Sequence, residues 1–544
     1  MVFTVAVIVS FLIYIAIGVF VGARISNKAD YYVAARNAPV LLITGSLIAS
    51  YLSTVGFLGE AGFAYSGYPL LLLTMAAFNA AGYVVGAVFF GRYLRRSEAL
   101  TVPEFFGRRF NSGAVRAAAG VTVVAGISFY LIAVTQGVSL IISDILGISF
   151  WAALLIFWIG FTSFTFFSGS PGVLITDTIM FCLFTVAAVL GAVFLAAEVG
   201  GPSAVIDSLS GLGAKPGMLD WGGVTSGPNA QFATPSEGIF LWVVLGLLWG
   251  IIVATSPWQS SRYLMARSEQ VAIRSGFASM IAILFIYMFM AMGAATVNVF
   301  NPNIAPTELV YIWAAQNVLP IWLGVIIVTG IVAAGLSSAS TFLSLIGFSA
   351  VNDILPAFRR GSTQTSTEQE AESGSGLLFN RLVMLGVGVI VLVVVFFSPT
   401  AVLDIGIFAA TLFAASWGPL AFLSIYYRKI TKWGALASLL AGFVTVFAFE
   451  ASQTFGGVDL PVYLEPVIPG WIASFLALFI ADFLSKPDAE SIAFRDSLLA
   501  VSKNKQSSAQ LRRTLRYALV AGVSCVGAIV FLLVAYVLPL SGSA

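Results

Sequence analysis

No histidine occurs anywhere in the 544 residues. Its absence removes the usual proton switch near neutral pH, the commonest metal ligand and the Ser-His-Asp triad at once. Cysteine is almost as scarce. Cys182 and Cys525 both fall inside apolar runs, so a disulfide framework is not expected. Charge is the third shortage, with Asp, Glu, Lys and Arg at 9% against roughly 25% in soluble domains. Long polar stretches are missing too. No soluble domain of about 50 residues or more stands out, and no nucleotide-binding glycine loop. A fused kinase or enzyme domain is therefore not expected.

What fills the chain is apolar sequence, 59% of it. A helix needs about 20 such residues to cross a bilayer. Fourteen candidate spans run approximately 3–24, 39–67, 69–93, 114–142, 149–170, 172–198, 237–257, 271–298, 317–353, 379–397, 402–426, 434–452, 464–484 and 514–538. The second and ninth are too long for one straight crossing. The first has the length of a signal peptide, but Arg24 and Lys28 follow it rather than precede it. A retained anchor is expected instead.

Basic residues set orientation. With the first span starting outside, 25 of the 26 Lys and Arg fall in inside segments, and Lys215 alone falls outside. The expectation is fourteen crossings of the cytoplasmic (inner) membrane with both termini outside. The net charge of +2 is no sign of nucleic acid, because the basic residues are used in setting topology.

The expected divisions are an extra helix and linker at 1–38, two groups of five spans at 39–198 and 237–426, and peripheral helices at 427–544. Between the groups lies an outside loop, 199–236, rich in Gly, Pro and Ser and expected over the outer mouth. Segment 354–378 reads as a flexible acidic linker, and 485–513 as the place for a surface helix. Each five-span group opens on a weakened helix: YLSTVGFLGEAGFAYSGY at 51–68 and WGIIVATSPWQSS at 249–261. Interrupted helices in matching positions of two halves point to the binding site of a secondary transporter. Broken backbone survives in lipid only against protein or a wet cavity.

Of the 24 acids, Glu60, Asp177 and Asp404 fall inside spans. Burying one costs roughly 2.5–3.5 kcal/mol on insertion scales, and a bound cation is the simplest compensation. The stretch GIVAAGLSSASTFLSLIGFSAVND (330–353) is apolar yet crowded with hydroxyls. Ala334, Ser337, Ser338 and Thr341 follow i, i+3, i+4, i+7 and share one face. Ser340 and Ser344 continue on a neighbouring stripe. Hydroxyl and carbonyl oxygens are hard ligands, suited to a hard cation. One helix cannot surround an ion, but the weak helix at 49–62 has carbonyls to add. The bland alternative is that these hydroxyls bond their own backbone or let helices approach closely.

Six pieces recur in a familiar order: DYYVAARNAPVLLITGSLIASYLSTVGFLGEAG (30–62), LTVPEFFGRRF (100–110), SGSPGVLITDTIM (168–180), SPWQSSRYLMA (256–266), IVAAGLSSASTFLSLIGFSAVND (331–353) and FAASWGPLAFLSIYYRKITKWGALAS (413–438). Together they resemble the sodium/solute symporter family, which contains sodium-coupled sugar, proline, sialic acid, pantothenate and monocarboxylate carriers. The resemblance implies an all-α polytopic membrane protein of the leucine-transporter-type fold, with two inverted five-helix repeats and about fourteen transmembrane helices. It implies a conserved sodium site of Ala49, Leu52 and Ala334 carbonyls with the Ser337 and Ser338 hydroxyls. A second site found in some members maps onto Asp177, Ser337, Ser340 and Thr341; the alternative for Asp177 is a salt bridge or helix cap near the inner surface. By the same analogy the solute sits beside the break, with Ser50, Tyr51, Ser53, Thr54, Glu60, Gln136, Trp249, Phe408 and Thr411 as candidates.

Proline carriers of the family keep an aspartate where Tyr51 stands, which argues against proline. Sialic acid carriers place an arginine on the third core helix, and none lies between Arg116 and Arg262 here. Glu60 departs from the family pattern. It reads either as an amine-binding carboxylate or as a structural acid satisfied by backbone N–H groups of the break, the second being preferred. The expected function is sodium-coupled import of a small organic solute by alternating access, without enzymatic activity or cofactor. Sodium, the solute and lipid are the expected partners, and the sequence assigns no oligomeric state. A solute sensor acting through a partner kinase, and a proton-coupled symporter using Asp177 or Glu60, are the alternatives.

Overall fold

A computed structural model describes residues 2–22, 28–358, 374–397, 402–454, 456–458, 460–500 and 508–534. Most of the linker expected at 354–378 lies outside these residues, as do Arg24, Arg359, Arg360, Lys503 and Lys505. Their regular secondary structure is helical, apart from one isolated parallel bridge between Ala38 and Ala266.

Ten helical segments frame the site. They are α1 Val40–Tyr51, α2 Val55–Tyr65, α3 Pro69–Gly86, α4 Gly113–Leu146, α5 Phe150–Val199, α6 Pro235–Thr255, α7 Pro257–Met265, α8 Glu269–Phe300, α9 Ile321–Phe348 and α10 Val402–Tyr426. Eleven described helices are long and apolar enough to cross a membrane, and the bent pair α1 and α2 makes a twelfth. Helix α5 alone has 50 residues, about 75 Å of helix at 1.5 Å per residue, more than twice the hydrocarbon thickness. Its break is at Gly169, with φ 55° and ψ −176°. Glycine takes this left-handed backbone without strain, and Pro171 two residues on suits the first turn of a new helix. These two residues explain why sequence reading places two spans here.

The burial pattern separates core from periphery. α9 and α10 are buried over most of their length. Val2–Gly22 and Ser508–Leu532 expose large apolar side chains such as Leu12, Phe20, Leu519 and Val523, as lipid-facing helices do. A helix at Ala489–Leu499 occupies the segment where a surface helix is expected. In the 199–236 loop, Lys215 is buried. Its ammonium donates to the Tyr65 carbonyl (2.8 Å) and to Asn298 Oδ1 (2.6 Å). That contact holds the loop against the far end of α2.

Candidate functional site

α1 stops at Tyr51 because Leu52 leaves helical geometry, at φ −71° and ψ 38°. The chain re-enters through a π-helical turn, Val55–Glu60, and continues to Tyr65, bent 57° from α1. The Ser53 hydroxyl accepts the Val55 N–H at 3.2 Å. Among the described backbone hydrogen bonds that leave the helices, none ends on the carbonyl oxygens of Ala49 or Leu52. α9 passes directly against the break at Gly335. A Cβ there would lie 3.1 Å from Thr54 Cγ2 and 1.9 Å from Val138 Cγ2, so only glycine permits this approach.

A second pin ties the same two helices through α5. The hydroxyls of Ser46 (α1) and Ser337 (α9) both donate to the Asp177 carboxylate. Ala49 and Leu52 lie between Ser46 and Thr54 in the chain, and Ala334 and Ser338 flank Gly335 and Ser337, the residues through which α9 is pinned to that segment. Ser338 Oγ is buried there with no hydrogen-bond partner. A buried hydroxyl without a partner costs free energy, and a neutral oxygen cluster of this kind fits a monovalent cation. Ser337 can serve two masters: its proton goes to Asp177, and its lone pairs stay available to an ion.

At Asp177 the structure contains an ion pair, the salt-bridge alternative of the sequence reading. Arg262 of α7, buried at 2% exposure, donates through Nη2 to Thr341 Oγ1 at 2.7 Å and reaches Asp177 Oδ2 at 3.4 Å. The structure therefore brings together Asp177, Ser337 and Thr341, with a guanidinium among them. The Ser340 hydroxyl turns to its own helix, donating to the Ser337 carbonyl at 2.9 Å. Sequence reading counts Arg262 as an inner-surface charge. Ser256 breaks the helix before Pro257 (φ −58°, ψ 151°), and α7 then folds into the core. A small cleft, with a cavity volume of about 20 Å³, is lined by Pro257, Ser261, Arg262, Thr341, Thr101 and Tyr32, among others, and borders this cluster.

The solute candidates divide. Tyr51 meets Trp249 edge-on at 5.4 Å and Tyr287 at 6.1 Å between ring centroids. Ser53 Oγ lies 3.4 Å from the Tyr130 hydroxyl, and Thr54 Oγ1 donates to the Val134 carbonyl at 3.4 Å. Ser50 bonds its own helix at the Ser46 carbonyl and accepts from Gln259 Nε2 at 3.4 Å. Glu60 is buried and accepts from the Tyr287 hydroxyl. Gln136 is buried on α4. Thr411 bonds the Ile407 carbonyl of its own helix. Phe408 packs against Phe129 and Phe447, on the side of α10 turned to the peripheral helix Lys432–Thr454. Asn79, Tyr287, Trp258 and Gln259 join the site unforeseen. Trp258 and Gln259 fall in the weakened stretch 249–261, whereas the only signal of Asn79 and Tyr287 is a polar or aromatic side chain on an otherwise apolar helix.

The sequence model of the sodium:solute symporter family matches residues 31–442. The chain belongs to this family. Its relatives include the osmoregulated proline transporter OpuE of Bacillus subtilis, 22% identical over 87% of this chain and 89% of the relative. The sodium/proline symporter of Haemophilus influenzae is 26% identical over 89% of this chain and 95% of its own length. Among solved structures, a Na+-coupled sialic acid symporter in a substrate-bound outward-open state aligns with a TM-score of 0.72. That match covers 90% of this chain and 98% of the other, at 18% identity. It fixes the shared fold. The family's members are transporters rather than enzymes, and this chain is accordingly an integral membrane protein of that class.

Proposed function

We propose that this family member imports a small organic solute together with sodium across the cytoplasmic membrane. The observation that carries the reading is the unpartnered, fully buried Ser338 hydroxyl beside the break. In this reading the carbonyl oxygens of Ala49, Leu52 and Ala334 and the Ser337 hydroxyl would complete the ion's shell. Sodium bound there would draw α9 to the break and favour one side of the alternating-access cycle. Each charge crossing with a potential of about 100 mV gains about 2.3 kcal/mol.

The second sodium position is proposed at Asp177, Ser337, Ser340 and Thr341, in competition with Arg262. The cleft beside Arg262 and Thr341 supports an exit path for an ion displaced by the guanidinium. The proposed architecture is fourteen crossings: α5 counts as two and Arg381–Phe397 as one more. Two five-helix repeats at 39–198 and 237–426 are part of the same reading, with both termini outside.

The test is solute uptake into proteoliposomes with sodium outside, against potassium in its place. Uptake should require the sodium gradient, and Ser338→Ala should raise the half-maximal sodium concentration about tenfold. Equal uptake in potassium would remove the reading. Proton coupling would instead show as uptake driven by an acid-outside gradient alone.

A further inference from the structure

Glu60 stands apart from the other buried acids near the site. Asp177 has Arg262, and Asp353 has Arg116 at 2.9 Å. None of the ion pairs among the described residues includes Glu60, although it is 2% exposed. Nor do backbone N–H groups of the break satisfy it, as the structural reading of this acid requires. Its described partner is a phenol. A neutral donor orients a carboxylate, but it does not replace a countercharge.

The surroundings run in one electrical direction. Asn79 Nδ2 donates to the Tyr51 hydroxyl. The Tyr51 ring lies 6.1 Å from the Tyr287 ring, and Tyr287 donates to Glu60 Oε2. The phenol holds the carboxylate as an acceptor. Two further acceptors, Asn79 Oδ1 and Gln259 Oε1, are buried without partners. Gln259 sits on the same patch, donating to the Leu47 carbonyl at 3.2 Å, and Tyr83 donates to that carbonyl at 3.3 Å. The rings of Trp249, Tyr287 and Tyr83 all lie within 6.4 Å of the Tyr51 ring. An acceptor-rich, aromatic-lined patch with one uncompensated negative charge suits a cationic nitrogen.

We infer that Glu60 recognises a positively charged nitrogen on the transported solute, which makes the solute a small organic ammonium compound such as an amino acid or a choline-like amine. A simple carboxylate would meet the Glu60 charge head-on, and a sugar would leave it uncompensated. The inference rests on reading the break as the solute site.

The test uses the purified full chain in sodium and reads its unfolding midpoint with matched probes. Proline is set against cyclopentanecarboxylate, and choline against 3,3-dimethylbutan-1-ol, each pair differing in the charged nitrogen. The ammonium member of at least one pair should raise the midpoint, and its carbon isostere should fail to do so at tenfold higher concentration. Glu60→Gln should weaken that protection at least tenfold while leaving the shift caused by sodium alone intact. Equal protection by the isosteres, no protection by either ammonium compound, or full protection of Glu60→Gln would each overturn the inference. If Glu60→Gln does not fold, the isostere pairs on the unaltered chain still decide. Sodium without solute reports on the coupling reading separately, so the two can fail independently.

Discussion

Two polar clusters meet at neighbouring residues of α9, Ser337 and Ser338, and solve the same burial problem in opposite ways. At Ser338 the oxygens are neutral and the hydroxyl has no partner. At Asp177 the oxygen is charged, and it is answered by two serine hydroxyls and the Arg262 guanidinium. A neutral oxygen can wait for an ion at the cost of one unmade hydrogen bond, about 1–3 kcal/mol. A bare carboxylate cannot wait, because an unpaired buried charge costs several times more. So the first cluster is the one that the proposed reading gives to sodium, whereas the second already carries a cation of the protein's own. Ser337 belongs to both.

The largest effect is expected where that internal cation is removed. Arg262→Gln leaves Asp177 buried and unanswered, which costs about 3–5 kcal/mol when one partner of a buried pair is deleted. The variant should be strongly destabilised without sodium, and sodium should rescue it more than it rescues the unaltered chain. The double variant Arg262→Gln with Asp177→Asn should recover most of the loss. Unfolding midpoints at zero and saturating sodium measure all of this. An Arg262→Gln midpoint equal to the original would show that the two clusters do not differ in the way argued. Asp177→Asn on its own should lower the number of sodium ions taken up per solute, read as the reversal potential in proteoliposomes.

The serines sharpen the contrast at a smaller scale. Ser338→Ala removes a buried hydroxyl that bonds nothing and so relieves its desolvation cost; sodium-free stability should not fall and should rise by up to about 1–3 kcal/mol. Its sodium affinity should fall about tenfold, or about 1.4 kcal/mol. Ser337→Ala removes a donor from Asp177 as well as a proposed ligand. It should lose about 1–3 kcal/mol of sodium-free stability together with the affinity. Identical behaviour of the two variants would erase the distinction between the clusters.

How much of this is legible in the sequence depends on the range of each interaction. The broken helix shows itself locally, through Gly56, Gly59, Glu60 and Gly62 inside an apolar run. The hydroxyl stripe follows from helical period, and Ser337 and Thr341 do meet Asp177 and its partner. Arg262 is hidden, because a basic residue at a span end has the same look whether it faces water or turns inward. Only the backbone at Ser256 and Pro257 decides that. Asn79 and Tyr287 are hidden for a different reason: the Tyr287 contact with Glu60 joins residues 227 apart in the chain, and no local pattern announces it. Phe408 shows the reverse case. Periodicity leaves two faces of α10 open to it, and packing on Phe129 and Phe447 selects the outer one.

Lys215 extends the comparison to a buried base that forms no ion pair among the described residues. Arg262 is answered by Asp177, whereas the Lys215 ammonium rests on the Tyr65 carbonyl, Asn298 Oδ1 and the Tyr65 ring, 3.5 Å from its centroid. Desolvation in the 199–236 loop lowers its pKa from 10.5 to about 8. The folded value lies below the unfolded one, so between about pH 8 and 10.5 the unfolded chain binds the extra proton. Stability contributed by this residue therefore rises with pH across that window. Below about pH 8 both states are charged and the full cost of burying the ammonium is felt. Lys215→Met should flatten the slope of unfolding midpoint against pH between 8 and 10.5. A slope unchanged by the substitution would mean that the dipoles around Lys215 match what water offers, and that a buried base here needs no acid to hold its charge.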